Sequence, residues 1–269
     1  MKMALATWSF PYCSLNEVVG ISQALGINAV DMGIDYRPAI DRAALLADPE
    51  TTGKKIRSLN VVTPCFYYRF GESLDDRNIA DPDHYDANIE DFRKVVSFCI
   101  AADIKTIFIL PGIVNPGQTV ASAIEISARA LRAFVAIAQE AGITLTIEPH
   151  VRSVTESPAM TLTLLDRVPG LKLTLDYSHF VCLGFRQEDI DPLASHAAHI
   201  HLRQAKPGEL QAKYDYGTIN FPTLIGTLKD VGYDGYLVLE NVHQTYMNTV
   251  YDDVLTEIIR MRDLVARYI

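Results

Sequence analysis

The chain has 269 residues, 49% hydrophobic and 21% charged, a balance that excludes a disordered or collagen-like polypeptide and supplies apolar side chains for a sizeable core. Its formal charge is −9, from 24 Lys and Arg against 33 Asp and Glu, and no basic run offers the electrostatic footprint of a nucleic-acid binder. Cys13, Cys65, Cys99 and Cys182 are widely spaced with no CxxC pair, which argues against a zinc knuckle or disulfide framework and for a reducing, cytoplasmic setting. The first ten residues lack the apolar stretch and cleavage site of a leader, and no apolar run approaches the ~18 residues of a spanning helix. Neither export nor a membrane partner is expected.

Along the chain, short apolar runs begin near Ala4, Ala29, Leu59, Thr106, Thr144, Lys172, His199 and Tyr236, with amphipathic stretches between them. Ile89, Phe92, Val96 and Cys99 recur at helical spacing, as do Ile124, Ala128, Leu131, Val135 and Ala138, and then Val254, Ile258, Met261 and Val265. Gly26, Gly142, Gly170 and Gly232 stand where a helix should stop before the next strand. Eight strand-helix units without a linker or composition break predict an α/β fold, a single (β/α)8 TIM barrel spanning 1–269 as one domain. The competing open doubly wound sheet would carry GxGxxG after its first strand, where this chain has Ala6-Thr7-Trp8-Ser9-Phe10.

In such a barrel the active site lies at the C-terminal ends of the strands. Four runs of the second half end in ionisable residues: Thr144 to Glu148, Lys172 to Asp176, His199 to His201 and Tyr236 to Glu240. Because strand side chains alternate faces, Leu145, Ile147, Leu173, Leu175, Ile200, Leu202, Leu237 and Leu239 share the outward phase. Glu148, Asp176, His201 and Glu240 then point inward at one rim. Three unpaired inward carboxylates would repel one another, and a divalent cation resolves this. An oxygen-rich set with one imidazole suits Mn²⁺ or Mg²⁺, with Co²⁺ or Zn²⁺ as substitutes. The plainer reading ends each acid in a salt bridge or helix cap; four endings in one phase favour the metal.

The pieces Ile147-Glu148-Pro149-His150, Leu175-Asp176-Tyr177-Ser178-His179, His199-Ile200-His201-Leu202-Arg203, Gly217-Thr218-Ile219-Asn220-Phe221 and Leu239-Glu240-Asn241 resemble the xylose-isomerase-like sugar phosphate isomerase/epimerase superfamily. That superfamily also holds ketose 3-epimerases, hydroxypyruvate isomerases, inosose and dehydroshikimate dehydratases, and endonuclease IV. The resemblance implies that Glu148, Asp176, His201 and Glu240 hold one divalent metal ion and that His179 contacts substrate. His150 and Arg203 continue the inward phase and are read as ligand-facing, with a rim salt bridge from Arg203 to Asp215 or Glu209 as the alternative. His199 is read as a hydrogen-bonded core residue. The chain departs from endonuclease IV in having only His84 before residue 150, and from ketose 3-epimerases in having Pro207 six residues beyond His201, where they carry Arg.

The first half says less. Trp8 and the run Cys65-Phe66-Tyr67-Tyr68-Arg69-Phe70 fall after the first and third strands, where aromatics make either a substrate wall or loop packing. Trp8 is taken as a substrate-binding residue, and Asp31 either reaches a substrate hydroxyl or caps the next segment. The expected activity is a metal-dependent sugar isomerase or epimerase of carbohydrate metabolism, in which Glu148 and Glu240 exchange a proton beside a carbonyl through a metal-stabilised enediolate. A dehydratase of a cyclic hydroxy-ketone and a non-catalytic metabolite-binding barrel are the alternatives. The expected partner is a small sugar-like molecule, and a homo-oligomer is compatible with the sequence.

Overall fold

The computed structural model describes residues 1–242 and 253–269. In chain order the elements are β1 (Lys2–Ala6), α1 (Leu15–Ala24), β2 (Val30–Asp31), α2 (Arg42–Ala47), α3 (Pro49–Arg57), β3 (Cys65–Tyr67) and α4 (Tyr85–Ala102). There follow β4 (Thr106–Ile109), α5 (Val120–Glu140), β5 (Thr144–Ile147), α6 (Pro158–Arg167), β6 (Lys172–Asp176), α7 (Tyr177–Cys182) and α8 (Gln187–Ile190). The chain ends with β7 (Ala197–Leu202), α9 (Phe221–Asp230), β8 (Tyr236–Leu239) and α10 (Val254–Val265). Side-chain caps start several helices: Ser14 forms a capping box with Glu17, while Thr119, Ser157 and Asn220 accept amide hydrogens at the heads of α5, α6 and α9.

The strands pair in parallel in the order β2-β1-β8-β7-β6-β5-β4-β3. Bridges Ala29 to Val62 and Met32 to Phe66 join the two ends, with Val30 N donating to Val62 O at 2.9 Å and Tyr67 N to Met32 O at 2.8 Å. The sheet thereby curls into the expected (β/α)8 TIM barrel. One boundary differs: the third strand begins at Cys65, not near Leu59. The Leu59 amide still bonds back to Ile56 at the end of α3, and Asn60 is left-handed at φ 52°. Pro64 then has no N–H for the ladder, so regular pairing waits for the next residue.

The alternation read from the sequence separates two apolar layers. Leu145, Ile147, Leu173, Leu175, Ile200, Leu202, Leu237 and Leu239 belong to the large core between strands and helices. Ala4, Ala6, Ala29, Cys65, Phe108 and Val238 belong to a smaller cluster inside the barrel. Small residues on β1 and just before β2 leave room there for larger side chains from the opposite strands. Thr146 and Thr174 meet hydroxyl to hydroxyl at 2.7 Å in the same interior, below Glu148 and Asp176. Among the described residues no helix is long and apolar enough to cross a membrane.

Candidate metal centre and active-site cavity

Glu148 and Glu240 each sit one residue past a strand and keep its phase, because their amides continue the ladder to Ile109 O at 3.2 Å and Leu202 O at 3.0 Å. His201 lies between them on β7. Its Nδ1 is 2.8 Å from Glu148 Oε1 and 3.0 Å from Glu240 Oε2. Ligand atoms of Glu148, His201 and Glu240 all fall within 4.8 Å of one another, and all three residues are buried.

Asp176 ends β6 on the same rim but stands outside that triplet. Its Oδ1 accepts the Ser178 amide and its Oδ2 the Ser178 hydroxyl, both at 2.8 Å, so it caps α7. Arg203 Nη2 is 2.7 Å from Asp176 Oδ2, and Arg203 Nη1 is 3.6 Å from Glu240 Oε1. The alternative of a rim salt bridge for Arg203 is overturned: Arg203 is buried, while Asp215 pairs with Arg260 and Glu209 with Lys206. Arg203 is the interior counter-charge of the acid cluster.

His179 is brought to the site. Its Nε2 is 2.8 Å from Arg203 Nη2, 3.7 Å from Asp176 Oδ2 and 3.9 Å from Glu148 Oε2. Its ring lies 4.2 Å from that of His150, centroid to centroid, and both imidazoles group with Glu148 in a second candidate ligand set. His150 donates Nδ1–H to Val151 O at 2.7 Å. Burial pushes His150 down to about 4, and burial, His150 and Arg203 together hold His179 well below the usual range, so both rings are neutral at neutral pH.

The two glutamates titrate apart. Burial raises Glu148 to about 7, with the Glu240 charge adding and the His201 hydrogen bond opposing. Burial would also raise Glu240, but Arg203 and then His201 outweigh it and hold that carboxyl at about 2. His201 is desolvated too, yet Glu240, Asp31 and Glu148 raise it well above an ordinary imidazole.

Trp8 follows β1 and donates its indole N–H to Glu240 Oε1 at 2.8 Å. Together with Tyr67 and Phe108 it walls a cavity of about 230 Å³ whose floor carries Glu148, Glu240 and Arg203. Tyr67 and Phe108 stack at 4.6 Å. Of the aromatic run that begins on β3, only Tyr67 lines this cavity, because Phe66, Tyr68 and Phe70 have the outward phase and join the strand-helix core. Phe108 was not singled out from the sequence, although its place two residues after Thr106 on β4 carries the inward phase. Asp31 takes neither expected role. It is fully buried and accepts from His199 Nε2 at 2.5 Å, with His201 Nε2 at 3.4 Å from the same oxygen. His199 is thereby the hydrogen-bonded interior residue expected of it.

The donor set fits a divalent cation. Glu240 Oε2 is buried 3.0 Å from His201 Nδ1, and an ion in place of the Nδ1 proton would leave His201 neutral, donating Nε2–H to Asp31 with its Nδ1 lone pair turned toward two carboxylate oxygens. A positive charge at that point would satisfy all three atoms.

The model of the family described as xylose isomerase-like TIM barrel matches residues 19–257. A search of curated proteins returns no significant match. Among solved structures, the chain is similar to the IolI protein with a bound zinc atom at TM-score 0.78 and 15% identity, covering 100% of this chain and 99% of that one. It is similar to an L-ribulose 3-epimerase at 0.74 and 16%, covering 99% and 94%, and to AsbF, a probable 3-DHS dehydratase from Bacillus anthracis, at 0.73 and 16%, covering 99% of each. At such identities the likeness establishes the fold. With a family match over most of its length, the chain belongs to the xylose isomerase-like TIM barrel family.

Proposed function

We propose that the chain, 1–269 as one domain, is a divalent-metal-dependent isomerase or epimerase of a sugar-like hydroxy-ketone in a reducing cytoplasm. The observation that carries this reading is the pair of carboxylates, Glu148 and Glu240, facing one imidazole nitrogen at 2.8 and 3.0 Å on the floor of an aromatic-walled cavity. Glu148, His201 and Glu240 would hold the ion, with Asp176 as fourth ligand once freed from Arg203. Mn²⁺ or Mg²⁺ suits this oxygen-rich set, and Co²⁺ or Zn²⁺ could replace it. When bound, the ion supplies positive charge where a carbonyl oxygen gains negative charge.

The residues divide the proton work. Glu240, held ionised by Arg203, His201 and Trp8, takes the proton from the carbon beside the carbonyl. Glu148, the second carboxylate on the cavity floor, is the group through which the proton is returned. Return to the opposite face of the same carbon is epimerisation; return to the neighbouring carbon is aldose-ketose isomerisation. His179, His150 and Arg203 present hydrogen-bonding groups to substrate hydroxyls, and Trp8 and Tyr67 offer flat surfaces to its C–H face.

The substrate is unphosphorylated. Arg203, which lines the cavity, already faces carboxylates, Asp176 at 2.7 Å and Glu240 at 3.6 Å.

The test is incubation of the Mn²⁺-supplemented protein with pooled ketoses, aldoses and cyclitols in deuterated water, read by mass spectrometry. One deuterium gained in a product of unchanged skeleton supports the reading. Loss of water points to the dehydratase alternative, and metal binding with no exchange across the panel to a binding protein. A Glu240→Gln variant that binds metal yet keeps full exchange would remove Glu240 from the mechanism.

A further inference from the structure

Deep in the barrel, one carboxylate oxygen serves two imidazoles. Asp31 Oδ2 lies 2.5 Å from His199 Nε2 and 3.4 Å from His201 Nε2, and Asp31, His199 and His201 are each no more than 2% exposed. Asp31 comes from β2, whereas the histidines sit two apart on β7, with β1 and β8 between these strands in the sheet. The contact therefore spans the barrel interior. Burying a carboxylate there costs several kcal/mol unless it is compensated, and both compensating groups are these rings.

We infer that Asp31 is a positioning residue that sets the tautomer and orientation of His201, and that His199 anchors Asp31. This rests on the proposed role of His201 as a metal ligand. A carboxylate can only accept, so a neutral His201 facing it carries its hydrogen on Nε2 and leaves Nδ1 as the lone pair. Nδ1 is the nitrogen that faces Glu148 and Glu240. The reversed tautomer would set a lone pair against the Asp31 carboxylate. Rotation of the ring is blocked by edge contacts to Phe108 at 5.2 Å and Trp8 at 5.9 Å between centroids. His199, at the shorter distance, keeps Oδ2 turned toward both rings, while the second oxygen, Oδ1, is buried without a hydrogen-bond partner. A pairing that served only to neutralise His199 would have no need to place that oxygen under His201.

The test uses Asp31→Asn, which keeps the volume and removes the charge, and His199→Gln, which removes the anchor. Calorimetric titration with Mn²⁺ should show affinity falling 10–100-fold in Asp31→Asn, the range for loss of a partner behind a ligating histidine, and less in His199→Gln. In Zn²⁺-loaded protein labelled with ¹⁵N-histidine, the wild type should show a protected His201 Nε2–H signal that Asp31→Asn loses, a change that mere loosening of the fold would not confine to one ring. Wild-type affinity together with an intact Nε2–H signal in Asp31→Asn would overturn the inference and leave the metal reading standing. If Asp31→Asn does not fold, unchanged affinity in His199→Gln overturns it. Failure of the wild type to bind either ion would remove the metal reading itself, and this inference with it.

Discussion

Trp8 and Glu240 are 232 residues apart in the chain, yet the indole N–H of one donates to Oε1 of the other at 2.8 Å. Parallel pairing of β1 with β8 makes them neighbours, since Leu5 stands opposite Leu239 and each residue follows shortly after its strand. The bond occupies Oε1 and leaves Oε2 facing His201 Nδ1 at 3.0 Å. Trp8 thus selects which oxygen of Glu240 is offered to the candidate metal centre.

Trp8→Phe keeps the aromatic wall and removes only the donor. A hydrogen bond to a charged group is worth about 1.5–3 kcal/mol, so turnover should fall on the order of 10–100-fold. Steady-state kinetics and circular dichroism measure this, with an unchanged spectrum expected. Undiminished turnover would mean that the indole serves only as packing.

The pH dependence of the metal-free protein should expose Glu148. Burial, with the Glu240 charge adding, raises its carboxyl from 4.5 to about 7. The folded state therefore holds this proton more tightly than the unfolded chain, and the associated stability, full below pH 4.5, is lost as pH rises to about 7. Relative to wild type, Glu148→Gln should gain stability between pH 5 and 8, as measured by urea melts with a chelator present. A constant difference between the two proteins would contradict the raised carboxyl.

Divalent-metal affinity should move the opposite way, because the ion takes the carboxylate form. Calorimetry should find binding that tightens up to about pH 7 and then levels. Removing the ion with a chelator should abolish turnover, and adding it at 100 times its Kd should stabilise the fold by about 2.7 kcal/mol.

Charge should decide between a free sugar and its phosphate ester. The cavity presents Asp35, Glu148 and Glu240, and Arg203, which also lines it, is engaged by Asp176 and Glu240. Unfavourable charge juxtaposition costs several kcal/mol, so kcat/KM for an unphosphorylated ketose should exceed that for its phosphate on the order of 100-fold. Equal efficiency would show that the phosphate finds a cation.

Gly217 tests the loop that leads from β7 to α9. Gln204 ties this loop down, its Oε1 accepting from Ala205 N and Ile219 N at 2.9 Å and its Nε2 donating to Ile219 O at 3.0 Å. A Cβ at Gly217 would lie 2.0 Å from Gln204 Cγ. Gly217→Ala should cost about 1–3 kcal/mol, read as a fall in the thermal midpoint of about 2–4 °C per kcal/mol.

The barrel and its inward rim were legible because their signals are local. Alternation along β5 to β8 separates Leu145 from Thr146 and Ile200 from His201 without knowledge of any neighbour, and the 3.6 period of α4 and α5 identifies their buried faces as directly. The start of the third strand was less legible, since Leu59, Val61 and Val62 look like a strand while the end of α3 and Pro64 claim that segment for a turn.

The inward direction of Glu148, Asp176, His201 and Glu240 follows from the sequence, and so do the glycine stops at Gly26, Gly142, Gly170 and Gly232. Which inward groups meet does not. That Arg203 chooses Asp176 over Asp215, that Asp31 reaches across to His201, and that Trp8 finds Glu240 were decided by closure of the sheet. The physical reason is that side-chain direction repeats every two residues along one strand, whereas partnership across a barrel depends on the stagger of eight strands at once.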